Sequence, residues 1–230
     1  MTTLEEPAPF PHDDAATVRK AAEITNHHQA LDALDMVRDM IGHPNNIQRA
    51  VTEWENAIRS MSDSFEGVSR AHSQLQTRWT GGAANGFNPY ALDAKTTITN
   101  NVTSLQGVLD ATTQMYSAVI DAYKNGITFI SKCAQSLLDF GGGLLGDWKA
   151  VLAVAAAGAT DGASLALVIK HFTSLLSEFA DNVTNLINAA IDANKSYSVA
   201  LNAALKNING IRALPRPTEG MLDLHAWTPT

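Results

Sequence analysis

The sequence has little cysteine, little charge and almost no internal proline, and each shortage excludes something. One cysteine, Cys133, among 230 residues excludes an internal disulfide and any multi-cysteine metal site. Charged residues are 17% of the chain against 45% hydrophobic, so this is no disordered acidic solvator and can bury a sizeable core. Bases are outnumbered by acids, 16 to 23, and a net charge of −7 argues against nucleic acid, which needs a basic face. Long hydrophobic runs are also missing. The longest uncharged apolar stretch is 150–159 (AVLAVAAAGA), short of the roughly 18 residues of a membrane span. The opening MTTLEEPAPFPHDD has neither a basic start nor an apolar centre, so it does not read as a Sec-type signal peptide.

Of eight prolines, only Pro44 and Pro89 fall between His12 and Leu214. A proline inside a helix costs about 3 kcal/mol, so their scarcity permits long helices. β-Branched residues show no sustained alternation. The expected fold is all-α: an elongated antiparallel bundle of three to four long helices, with a short apolar helical hairpin at one end. Residues 1–12 read as a disordered acidic, proline-rich arm. Residues 13–214 read as a single helical-bundle domain, and 215–230 as a flexible tail in which Leu222, Leu224 and Trp227 are able to dock.

A first helix is expected over about 13–41, capped by Asp13 or Asp14 and ended by Gly42 and Pro44. The second gives the cleanest pattern. Ile47, Val51, Trp54, Ile58, Met61, Phe65, Val68, His72, Leu75 and Trp79 follow steps of four and three, which holds one stripe toward a partner helix. Gly81-Gly82 ends it. A third helix carries its own register: Ile98, Val102, Leu105, Leu109, Thr112, Tyr116, Val119, Tyr123, Gly126, Ile130, Cys133, Leu137 and Phe140. Two seams joined by a glycine turn predict an antiparallel hairpin, with Trp54, Ile58, Phe65, Val102, Leu109 and Tyr116 holding it. The third helix outlasts the second. Its excess, about 123–140, needs cover from the first helix or from a last long helix over about 163–212.

Catalytic constellations are poor. His27-His28 are neighbours and point to different faces of a helix. No metal-ligand spacing such as His-Glu-x-x-His occurs. His72 on the apolar seam reads as a buried polar residue that fixes register, and Cys133 between Ile130 and Leu137 as a structural thiol. Gly141-Gly142-Gly143 lacks the lysine and preceding strand of a phosphate loop and reads as a hinge. Asn101-Val102-Thr103 and Asn182-Val183-Thr184 match the N-glycosylation pattern by chance, since each valine sits in a predicted seam. The chain reads as a non-enzyme with no cofactor, no metal and no small-molecule substrate.

Trp79-x-Gly81 closes one heptad helix and opens another, and Gly82, Ala83, Ala84 and Phe87 follow it. This arrangement resembles the WxG-motif family of ESX (type VII) secretion substrates of actinobacteria and Gram-positive bacteria. Those proteins are helical hairpins with the Trp and Gly at the bend, and they pair as antiparallel four-helix dimers. The resemblance covers 47–124, about a third of the chain. It assigns the motif to Trp79 and Gly81, and the small and aromatic positions after it to Ala84 and Phe87. It implies a bacterial protein that is secreted or in the cell envelope by a Sec-independent route. The implied partners are a helical protein, a second copy or the secretion machinery. One departure stands out. The family's export signal, a Tyr with an acid four residues on, is absent: Tyr116 is followed by Ile120, with Asp121 one place late, and Tyr123 by Ile127. The chain is also more than twice the usual length, as expected of an elongated relative or the targeting portion of a larger substrate.

The segment 144–169 supports an alternative. Its apolar arms, with Leu144, Leu145, Trp148, Val151, Leu152 and Val154, flank Asp161-Gly162. They read as a short hairpin covering the bundle end or, as in α-helical pore-forming toxins, as a membrane-inserting tip. A structural coiled-coil component is the third reading.

Overall fold

The computed structural model describes residues 4–42, 44–141, 162–209 and 211–229. The elements are α1 (His12–Ile24), α2 (His28–Asp39), α3 (Pro44–Arg78), β1 (Trp79–Thr80), α4 (Gly82–Gly141), α5 (Gly162–Asn209), the one-turn α6 (Glu219–Leu222), a 3-10 turn (Leu224–Ala226) and β2 (Thr228–Pro229). The fold is all-α, with a single two-residue ladder among the described residues. The single domain expected over 13–214 divides into two compact units. One comprises Asn45–Met115 and Ser196–Thr230; the other comprises Leu4–Pro44 and Tyr116–Lys195. Helices α4 and α5 each contribute to both, which no composition shift along the sequence announces.

The second unit holds the aliphatic core. From α4 come Tyr123, Ile130, Cys133, Ala134 and Leu137, and from α5 come Phe172, Leu176, Phe179 and Val183. Val18, Ala21 and Ala22 of α1 and Ala30, Leu34 and Val37 of α2 close it. Both candidates for covering 123–140 therefore do so. The predicted α4 register is followed as far as Leu137: Ile98, Leu105, Leu109, Tyr116, Tyr123, Ile130, Cys133 and Leu137 are buried, Val102, Thr112 and Val119 are half-buried, and Phe140, its last member, stands exposed. Gly126 belongs to that register for a reason of space, since a Cβ there would meet Val37 Cγ1 at 2.9 Å. Burial pushes the Cys133 thiol up to about 12, with help from the negative charge of Glu178.

The helix expected over 13–41 is broken. Thr25, Asn26 and His27 interrupt it, with Asn26 in the left-handed region at φ 53°. His27 caps α2: Ala30 N–H donates to its Nδ1 at 3.3 Å, which leaves the Nε2 proton facing Ser177 Oγ at 3.0 Å. Asp13 and Asp14 lie in the first turn of α1, where they favour the helix dipole, and Pro11 holds the cap position. Asp14 accepts from Ser131 Oγ at 2.6 Å.

Residues 4–11, expected within a disordered arm, lie against the second unit. Leu4 is buried, Phe10 packs on the core, and Tyr116 Oη donates to the Glu5 carbonyl at 2.7 Å. Glu5 also pairs with Lys124. Desolvation, and then the charges of Glu5 and Glu6, raise the Tyr116 phenol above its ordinary value. Pro7, Pro9 and Pro11 keep this stretch out of a helix. Two isolated apolar side chains can then dock where average composition reads as disorder.

The first unit is thinner. Its buried positions on α4 include Ala83, Ala84, Ala91, Ala94, Ile98 and Ala111. In α3 only Val51 and His72 are buried. Trp54 and Ile58 are half-buried, and Phe65 stands exposed rather than sealed in a hairpin seam. Of the α4 seam residues, Leu109 is buried, Val102 is half-buried, and Tyr116 belongs to the second unit.

Candidate functional site

Trp79, Gly81, Ala84 and Phe87 converge at the α3–α4 bend. Helix α3 stops as the backbone of Trp79 and Thr80 becomes extended, and Gly81 turns the chain at φ +95°. That angle is strained for any residue with a side chain. A second constraint falls on the same glycine. A Cβ there would lie 2.8 Å from the Ala226 carbonyl oxygen and 3.0 Å from Thr228 Oγ1. Helix α4 starts at once, with Asn85 N–H donating to the Gly81 carbonyl at 3.0 Å. Ala83 and Ala84, the first alanines of α4, are buried beneath the bend. Pro89 is the eighth residue of α4, deeper than a first turn, and its missing N–H leaves the Asn85 carbonyl without that helical bond.

The pocket beside the bend, about 300 Å³, is lined by Leu75, Gln76, Trp79, Thr80, Ala84, Asn85, Phe87 and Asn88. Behind it lies a polar cluster. Lys95 Nζ donates to His72 Nδ1 at 3.1 Å, and His72 Nε2 then donates to Asn88 Oδ1 at 3.2 Å. An ammonium has no acceptor capacity, so its bond to Nδ1 fixes His72 as the Nε2–H tautomer. Phe87 stands against the ring, centroids 6.2 Å apart. The polar break in the α3 seam thus ties α3 to α4 about two turns below the bend.

The bend is covered by a segment far from it in sequence. Residues 219–229, within the expected flexible tail, return to it. Trp227 meets Trp79 edge-on, with centroids 6.2 Å apart at 89°, and Phe87 at 6.1 Å. Its indole N–H donates to the Met221 carbonyl at 3.1 Å, and Met221 is buried with Cγ 3.4 Å from where a Gly86 Cβ would stand. β2 pairs antiparallel with β1, Trp79 opposite Pro229 and Thr80 opposite Thr228. Thr80 Oγ1 also donates to the Thr228 carbonyl at 3.3 Å. Asn101 pins the approach, giving Nδ2–H to the Arg212 carbonyl at 3.1 Å and taking Arg212 N–H at 3.3 Å. An aromatic contact is worth roughly 0.5–1.5 kcal/mol and a hydrogen bond a similar net amount, so this attachment is modest. Trp227 was one of three candidates for docking. Leu222 and Leu224, the other two, remain exposed.

The apolar-tip residues Leu144, Leu145, Trp148, Val151, Leu152 and Val154 lie outside the described residues. Among the described residues, no helix is long and apolar enough to cross a membrane, and no group of three or more His, Cys, Asp or Glu is placed to hold a metal.

The fold and the bend define an all-α, long-helix protein with an aromatic-lined reversal at one helix junction. Compared with protein-family models, curated proteins and solved structures, the chain finds no match in any of the three.

Proposed function

We propose that this protein is a non-enzymatic, secreted or cell-envelope bacterial component that acts through helix–helix association, as an elongated relative of the ESX substrates it resembles. The bend carries the reading. Trp79, Gly81, Ala84 and Phe87, spaced over nine residues of sequence, meet at one reversal between two long helices. The incompletely covered stripe of α3, with Trp54, Ile58 and Phe65, supports it by offering a helical partner an apolar surface. A bound partner would supply the Tyr–acid signal that Tyr116 and Tyr123 do not carry.

The test is Trp79→Ala in a bacterium carrying an ESX system, with secretion and co-purifying protein compared against the unaltered chain. Loss of export with the helical circular-dichroism signal retained is the expected result. Unchanged export and unchanged partner capture would defeat the proposal.

A further inference from the structure

We infer that the α3–α4 bend is a docking site for an extended, tryptophan-bearing peptide, and that residues 219–229 occupy it in cis as a releasable latch. Three observations carry this beyond the functional reading above, and none depends on it. The first is the form of the contact. Extended backbone pairs with extended backbone at Trp79–Thr80, and one indole is inserted beside Trp79 and Phe87. This is strand addition with a side-chain anchor, a mode by which proteins take up peptides. The second is the floor of the site. Gly81 lacks the Cβ that would strike the Ala226 carbonyl and Thr228. The surface under the segment is therefore shaped to let another backbone approach closely.

The third is how little holds the segment. Met221 is its one buried residue, while Leu222 and Leu224 keep 66% and 83% of their surface in solvent. Pro229 has no N–H to give the ladder, so the pairing ends after two residues. Residues 211–218 leading into it form no helix or strand, carry Pro215 and Pro217, and lie mostly in solvent beyond the Asn101–Arg212 clasp. A segment with one aromatic anchor, a two-residue ladder and an exposed tether detaches without unfolding the helices behind it. Once it lifts, Trp79, Phe87, Ala84 and the β1 edge face solvent as an open site. A competing peptide needs the same chemistry: an extended backbone with an indole just ahead of the two pairing residues.

The test uses the full chain and a fluorescein-labelled synthetic peptide of residues 215–229, read by anisotropy. The unaltered chain should bind it weakly, because the cis segment holds the site for most of the time. Trp227→Ala in the full chain should bind it at least about tenfold more tightly, and a peptide carrying the same substitution should not bind. Adding Gly81→Val to the Trp227→Ala chain should abolish binding. Equal binding by the unaltered and Trp227→Ala chains, or binding that survives Gly81→Val, would overturn the inference. Amide hydrogen exchange on the unaltered chain gives an independent check. The Trp227 and Thr228 amides should exchange at least about a hundredfold faster than those of Leu105 and Val108, and equal protection would overturn the latch. Failure of these assays leaves the export reading to its own secretion test, and success in them does not decide it.

Discussion

The two compact units solve the same problem with different means. The second unit buries Leu34, Ile130, Leu137, Leu176, Val37 and Val183 in one cluster fed by four helices. The first buries five alanines along α4 beside Ile98, Leu105, Val108 and Leu109, and its 35-residue α3 has just two buried side chains, one of them a histidine. Apolar burial near 25 cal/mol per Å² makes the former the principal source of stability. A thin, alanine-lined unit with a half-covered stripe has surface left for association. The difference teaches that heptad spacing reports the capacity to pack a helix, not that packing is completed within the chain.

The sharpest way to break this comparison is truncation in each unit. Leu137→Ala should cost about 2–5 kcal/mol in urea unfolding, whereas Ile58→Ala, half-covered, should cost well under half as much. Equal losses would refute the contrast. Next in size, Gly126→Val should cost about 1–3 kcal/mol by forcing Val37 aside, and Val37→Ala in the same chain should recover much of it in a double-mutant cycle.

Gly81→Ala should cost on the order of 1–3 kcal/mol through its positive φ and the close Ala226 carbonyl. Trp54, Trp79 and Trp227 all lie in the first unit. Their emission should shift as Trp227 leaves Trp79, with the second unit's amide protection unaltered.

Alkali should probe the second unit. Cys133 is raised from 9 to about 12, so between those values the unfolded chain loses a proton that the folded chain keeps. Stability from this group is complete below pH 9 and falls as pH rises, by on the order of 1 kcal/mol at one unit above 9. The loss should be absent in Cys133→Ala, and thiol alkylation of the folded protein should stay slow until it unfolds. Smallest of all, Phe65→Ser should change stability by within about 0.5 kcal/mol, because the ring is already exposed. A larger loss would mean that the α3 stripe is covered after all.

The α4 register was legible from spacing alone because a helix repeats every 3.6 residues and its buried stripe recurs with it. The bend was legible because Trp79 and Gly81 differ in kind from what surrounds them. The break at Asn26 was not. A left-handed asparagine is a weak local signal inside a segment whose apolar pattern continues on both sides, and the His27 cap that secures it reaches Ser177, 150 residues away. The N-terminal arm escaped for a related reason. Leu4 and Phe10 are covered singly, without periodicity; Phe10 packs on the core, and the Glu5 carbonyl between them takes the Tyr116 hydroxyl of α4.

By itself the sequence determined the all-α class, the long helices, the glycine reversal after Trp79 and the apolar face of α4. All of these rest on local preference and periodic spacing, which are written in neighbouring residues. Tertiary structure decided which stripe is covered, that α4 and α5 serve two units, and that Trp227 closes the bend more than a hundred residues from Trp79. Those outcomes depend on which distant surfaces meet. Contact between segments far apart in sequence is selected by the summed fit of many side chains, and no local pattern encodes that sum.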